Sequence, residues 1–172
     1  MKKAFLLFLL KLLPETRCFS IKRSLLRLVG YEIGHDVRVC SSARFLGAGH
    51  IILKEGTWIG HESMLVSTSL ISVGAKVDIA PKVYIGTGTH IVDPVGERTA
   101  GQGISKDVVI EDGVWIGTGS ILLPGTRIGR KSVIAAGAVV TGNIGSLCIA
   151  AGVPAKPIQN LSLIHISEPT RH

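Results

Sequence analysis

The residues best placed to do chemistry in this 172-residue chain gather around one histidine. His90 follows Val83-Tyr84-Ile85-Gly86-Thr87-Gly88-Thr89, where a regular six-residue pattern stops and does not resume until Ile110. An imidazole titrates near neutral pH, so it can take a proton from a hydroxyl and hand it on, an effect of about 10²–10⁴-fold in rate. Such a base is usually oriented by an acid on its other ring nitrogen. Asp93 and Glu97 are the nearby acids, and Asp93 is favoured, although Pro94 beside it also suits a plain turn. Arg98 and Lys106 offer cations for a phosphate or a sugar, or are simply solvated. Trp58 and Trp115 each precede Ile-Gly, where an indole can pack in a cleft or stack on a cofactor. His35, His50 and His61 read as corner or surface residues.

Those residues need a frame, and its period is six. Aliphatic or aromatic residues recur at Ile33, Val39, Phe45 and Ile51, at Leu53, Ile59, Leu65 and Ile71, and at Val73, Ile79, Ile85 and Ile91. After the break they return at Ile110, Ile116, Leu122, Ile128, Ile134 and Val140. A small or β-branched residue follows four positions later, as at Thr57, Ser63, Val77, Ser120, Thr126 and Ser132. Glycine often follows the aliphatic directly, as at Gly34, Gly60, Gly74, Gly117 and Gly129. Neither a helix nor a hairpin has this period. Hexad repetition predicts a parallel β-helix, three hexads to a triangular coil, with the aliphatic inward and glycine easing the corner backbone. The expected coils run 33–50, 53–70, 73–90, 110–127 and 128–145. The frame slips by two residues at Ile51-Ile52 and at Ile71-Ser72, which predicts bulged corners. Residues 91–109 are expected as an extruded loop, uncommon enough in a strict solenoid to suggest function.

Composition agrees with such a frame. Hydrophobic content is 46%, aromatics are only 5%, and there are 21 glycines, a mix suited to small aliphatics and tight corners. The net charge is +7, but it is concentrated. Residues 1–30 carry Lys2, Lys3, Lys11, Arg17, Lys22, Arg23 and Arg27 against Glu15 alone, seven minus one, or +6. A basic, greasy N-terminus suits an anionic bilayer surface rather than nucleic acid. Cys18, Cys40 and Cys148 are widely spaced with no CxxC, as expected for reduced thiols of an intracellular protein. Cys40 reads as merely small and apolar.

The first 30 residues form a segment of their own. Met1–Leu13 looks like a signal peptide at first, but Lys11 interrupts the apolar run and no small-x-small cleavage site follows. The run is too short to span a bilayer, which needs about 20 residues. Ile21–Val29 places Ile21, Leu25, Leu28 and Val29 on one helical face, with Lys22, Arg23 and Arg27 off it. Two short helices are expected, packed on the body or a sister subunit, or lying in a membrane interface. At the other end, Ile149–Ile158 closes the solenoid. Residues 161–172 change character and resemble a translated sequencing-library adapter, so the domain is bounded at 31–160. On that reading the native tail is missing, and His165 and His172 carry no meaning.

The hexads, the extrusion after Gly-Thr-His90, Val114-Trp-Ile-Gly117, Leu123-Pro-Gly125, Ile134-Ala-Ala-Gly137 and Ala150-Ala-Gly-Val-Pro-Ala-Lys156 together resemble the hexapeptide-repeat O-acetyltransferases. The likeness covers about 31–158 and is nearest to maltose and galactoside acetyltransferases and to those of polysaccharide biosynthesis. It implies an all-β, left-handed parallel β-helix with short N-terminal helices. It also implies a cytoplasmic homotrimer with sites between neighbouring solenoids, acetyl-CoA as donor and a sugar or glycan-precursor hydroxyl as acceptor. His90 matches the family's base, and the CoA contacts fall on Thr118, Ala136, Thr141 and Lys156, with Trp115 beside them. A basic residue usually following Thr141 is Gly142 here, and a second C-terminal one falls on Gln159. The acceptor-binding Asn and Asp of galactoside acetyltransferases would fall near Gly60 and Thr68, so that acceptor does not transfer.

Two other readings remain. One is a non-catalytic trimeric scaffold. The other is a metal enzyme of the γ-carbonic-anhydrase type, which needs three converging histidines with a close pair in one chain. His35, His50, His61 and His90 are 15, 11 and 29 residues apart, with no close pair, so no metal is expected.

Overall fold

The computed structural model describes residues 2–161. The adapter-like stretch from 162 onward lies outside the described residues. Beyond two short helices the chain is a solenoid of parallel strands with three faces. The first face stacks β1 (Glu32–Ile33), β4 (His50–Leu53), β7 (Leu70–Val73), β12 (Val108–Ile110) and β15 (Arg127–Ile128). The second stacks β2 (Arg38–Val39), β5 (Trp58–Ile59), β8 (Asp78–Ile79), β13 (Trp115–Ile116), β16 (Val133–Ile134) and β18 (Cys148–Gly152), with β19 (Ala155–Asn160) folded back on its edge. The third stacks β3 (Arg44–Leu46), β6 (Met64–Val66), β9 (Tyr84–Gly86), β14 (Ile121–Leu122) and β17 (Val139–Val140). This is the expected left-handed β-helix.

Why six residues make one side follows from the strand period. One inward aliphatic per short strand suffices, because the pleat alternates and the corner consumes the rest. Ile59, Ile79, Ile116 and Ile134 stand in register on one face, and Leu65, Ile85, Leu122 and Val140 on another, all fully buried. Each such side chain contributes about 1.5–3 kcal/mol by leaving water. The small residues four positions on are inside the corners. Thr57 Oγ1 donates to the Gly74 carbonyl at 2.7 Å, Ser63 Oγ to Ala80 at 2.9 Å, and Ser132 Oγ to Gly145 at 2.7 Å. These hydroxyls satisfy carbonyls that the turning backbone would otherwise bury unpaired.

Two local expectations about the coils change. The two-residue slips do not bulge the corners. They lengthen β4 and β7 to four residues each, with Ile51 and Leu53, then Ile71 and Val73, both inward. Two added residues preserve a period of two, so the strand grows without losing its buried face. The glycine after each aliphatic is not at positive φ either. It is there because the next coil passes against it: a Cβ on Gly60 would lie 2.7 Å from the Ala80 carbonyl carbon. The left-handed residue falls two positions later, at Asp36, Glu62, Lys76 and Lys131 among others.

The N-terminal helices are α1 (Lys2–Lys11) and α2 (Phe19–Leu28). The face of α2 turned inward is Lys22 and Leu26, whereas Ile21 and Leu28 are exposed. The reason is the open end of the solenoid. The first coil has carbonyls with no preceding coil to pair them, and basic side chains reach them. Lys22 Nζ donates to Val39 at 2.9 Å, Arg23 to Val37 at 3.2 Å, Arg27 to Ile33 at 2.8 and 2.9 Å, and Lys3 to Gly47 at 2.8 Å. Much of the N-terminal positive charge therefore caps a sheet edge, a common protection for exposed edges.

Candidate functional site

The solenoid opens after Thr87, between the third and first faces. β10 (Gly88–Val92) and β11 (Ala100–Ser105) leave as an antiparallel hairpin, and the chain rejoins the first face at Val108. His90 therefore lies within β10, three residues out from the body, rather than at the solenoid's last position. It is exposed and sits opposite Gly103. A Cβ built on Gly103 would be 3.9 Å from His90 Nε2, so the missing side chain leaves the ring uncovered.

Hydroxyls fix the hairpin root. Thr68 Oγ1 lies 2.7 Å from Ser105 Oγ and 3.1 Å from Thr87 Oγ1, and Thr87 Oγ1 accepts the Thr68 N–H at 2.7 Å. Asp107 Oδ1 accepts from the Leu70 N–H at 3.1 Å, and the Lys106 N–H donates to the Thr87 carbonyl at 2.8 Å. A side chain on a hairpin anchored this way is held in direction as well as place.

Asp93 has a different task from the one its position suggests. Its Oδ1 accepts the Gly96 N–H at 2.8 Å and the Val95 N–H at 3.0 Å, closing the hairpin tip. Those two bonds, Gly96 first, hold its carboxyl below the usual range. Among the described residues no bond or ion pair joins Asp93 to His90, and the turn reading raised by Pro94 is the one realised.

The positions matched to CoA contacts lie along two edges. Thr118 and Ala136 are exposed at the same corner, between the second and third faces, one coil apart, and the Thr118 carbonyl accepts the Gly137 N–H at 2.9 Å. Lys156, exposed on β19, pairs with Ala151 just past the same face. Trp115 stands outward on the second face, 56% exposed, between Asp78 and Val133 in register. Thr141 follows β17 at the other edge, the one from which the His90 hairpin leaves two coils earlier. Within one chain, then, His90 and most of the CoA-matched positions occupy different edges. Trp58 does not share the exposure of Trp115: Phe19 meets it edge-on at 6.1 Å and Arg38 lies 5.3 Å from its ring.

One cluster escaped the sequence. Glu15, Cys40 and His61 bring their ligand atoms within 4.8 Å of one another. They are far apart in the chain, and only the stacking of the coils and the packing of the N-terminal segment on them bring them together.

Residues 107–142 match the family described as bacterial transferase hexapeptide (six repeats). Over 108 residues the chain is 41% identical to a galactoside O-acetyltransferase of Lactococcus lactis subsp. lactis, covering 63% of this chain and 52% of that one. The chain spans about half the length of the curated relatives it matches. A maltose O-acetyltransferase of Clostridium difficile 630 superposes with a TM-score of 0.76 at 26% identity, over 93% of this chain and 84% of that one. A hexapeptide-repeat acetyltransferase of Vibrio cholerae O1 biovar eltor, solved with acetyl-CoA, superposes with a TM-score of 0.77 at 26% identity, over 94% and 86%.

Proposed function

We propose that this chain, a hexapeptide-repeat β-helix protein similar to the galactoside and maltose O-acetyltransferases, moves an acetyl group from acetyl-CoA to a hydroxyl of a sugar or glycan precursor. The observation that carries the reading is His90, uncovered opposite Gly103 on an anchored hairpin. In the proposed step the acceptor oxygen attacks the thioester carbonyl carbon while the imidazole takes the hydroxyl proton. The tetrahedral oxyanion then collapses, the C–S bond breaks, and the leaving sulfur recovers that proton as CoA thiol.

The division of groups between two edges supports a site composed from more than one copy. One solenoid would offer His90 and Thr141, and its neighbour Thr118, Ala136 and Lys156, with Trp115 flanking the donor. A homotrimer of parallel solenoids satisfies this. Lys156 would meet a CoA phosphate. Gly142 and Gln159 supply no cation there, so donor binding would rest on fewer charges. A cytoplasmic setting follows from the donor.

Acetyl-CoA consumption across a panel of sugars and glycan precursors tests the reading. Acceptor-dependent release of CoA thiol supports it. Failure to bind CoA at all would favour the non-catalytic scaffold instead.

We also propose that α1 rests on an anionic membrane surface. Phe5 and Phe8 on it and Leu12 just past its end are 60%, 56% and 65% exposed, and Lys2, Lys11 and Arg17 around them remain exposed. No described helix is long and apolar enough to cross a membrane. Sedimentation with phosphatidylserine vesicles should fall in the Phe5→Ser/Phe8→Ser variant, and equal sedimentation of that variant would reject the contact.

A further inference from the structure

The cluster beneath the N-terminal helices points to a metal. We propose that Glu15, Cys40 and His61 form a site for a borderline divalent cation of the zinc class, stapling the α1–α2 linker to the first two coils. Glu15 comes from the linker, Cys40 from the first coil and His61 from the second, so one ion would cross-link three layers.

Two independent observations support it. The first is convergence: the three ligand atoms lie within 4.8 Å of one another, and His61 Nδ1 is 3.3 Å from Glu15 Oε2. Tetrahedral zinc with sulfur, nitrogen and oxygen ligands separates them by about 3.3–3.6 Å, so closure needs side-chain movement only. The second is the thiol itself. Cys40 is wholly buried, and among the described residues its sulfur makes no hydrogen bond. The other buried thiol, Cys148, has found a partner, the Gly145 carbonyl at 3.3 Å. A buried, unpartnered sulfur facing an imidazole and a carboxylate is a ligand set of mixed softness that suits zinc.

The surroundings are consistent with coordination. Ser42 donates its N–H at 3.1 Å and its hydroxyl at 3.0 Å to Glu15 Oε2, orienting the carboxylate as outer hydrogen bonds orient metal ligands. Glu15 and His61 are each about half-exposed, at 47% and 45% of their side chains, which gives an ion a path in and leaves a fourth position to solvent. Lys22 is the nearby cation. Its ammonium is held by the Glu15 carbonyl at 2.6 Å and the Val39 carbonyl at 2.9 Å. Burial first, and then the Glu15 carboxylate, push the Cys40 thiol up, with the Lys22 charge opposing them only in part, so an ion rather than the apo surroundings must stabilise the thiolate. Binding would release the thiol proton to solvent, and thiolate plus carboxylate would then balance the ion's two charges.

The test uses the full chain, stripped with chelator and titrated with Zn²⁺ and separately with Co²⁺. One equivalent of bound metal, a thiolate-to-cobalt charge-transfer band and a rise in Tm are expected. Cys40→Ala should abolish the band, and His61→Ala should weaken binding at least tenfold. Cys148→Ala and His35→Ala should change neither. Substoichiometric metal, or no thiolate band in the wild-type protein, would overturn the proposal even if Cys40→Ala fails to fold. So would wild-type affinity in His61→Ala, whose substitution lies on the half-exposed side.

Discussion

His90 and Gly103 face each other across the β10–β11 hairpin, and the imidazole is open because the residue opposite has no side chain. Gly103 has no positive φ, so a larger residue there would obstruct the ring without straining the backbone. Gly103→Leu is expected to lower kcat/KM for acetyl transfer by roughly tenfold or more, about 1.4 kcal/mol, with Tm unchanged. Unaltered turnover in that variant would mean the acceptor approaches from elsewhere.

His90→Ala removes the proposed proton acceptor and nothing else. Acetyl transfer should fall by about 10²–10⁴-fold while the circular dichroism spectrum and Tm are kept, since the side chain is exposed and makes no hydrogen bond among the described residues. Turnover close to wild type would reject His90 as the base.

Lys22→Met tests the cap over the first coil. The substitution keeps much of the stem but leaves the buried Val39 carbonyl, and the part-buried Glu15 carbonyl, without their donor. A buried unsatisfied group costs about 1–3 kcal/mol, so urea unfolding should show a loss of that order, chiefly from the Val39 carbonyl. A stable Lys22→Met protein would mean that water or another side chain replaces the ammonium.

Gly117→Ala should be costly although the added group is one methyl. Its Cβ would lie 2.6 Å from the Ala136 nitrogen in the next coil, and backbone cannot yield there without disturbing the stack. Overpacking of this kind costs about 1–3 kcal/mol. Gly142→Ala, with nothing within 4 Å, is the matched control and should be nearly neutral.

Acid should loosen the contact between coils at Glu111. The Arg130 N–H, first, and the Arg127 guanidinium hold its carboxyl below its ordinary 4.5. A depressed folded pKa means the unfolded chain binds the proton more readily. The stabilisation is thus complete above the ordinary value and is lost as pH falls through the lower folded one. Thermal melts across that window should show a shallower acid decline in Glu111→Gln than in wild type. Parallel slopes would show that Glu111 carries none of it.

The repeat register was legible because it is local and periodic. Each hexad makes the same choice of inward aliphatic and buried small residue, so Ile59, Ile79 and Ile116 identify one another without coordinates. The corner glycines were located correctly, but for a different reason. Spacing cannot distinguish a residue that must turn from one that must let a neighbour pass, and Gly60 does the second. In α2, helical periodicity placed Lys22 outside because an isolated helix would put it in water. The open coil end, with its unpaired carbonyls, reverses that preference.

By itself the chain's text determined a three-sided solenoid, an interruption at the third coil and a histidine within reach of it, because those depend on nearest-neighbour pattern. Only the tertiary structure decided that the interruption is an anchored hairpin, that Asp93 closes its tip, and that Glu15, Cys40 and His61 meet. Those outcomes depend on which atoms stack across coils and which polar groups would otherwise stay unpaired. Chain separation carries no information about either.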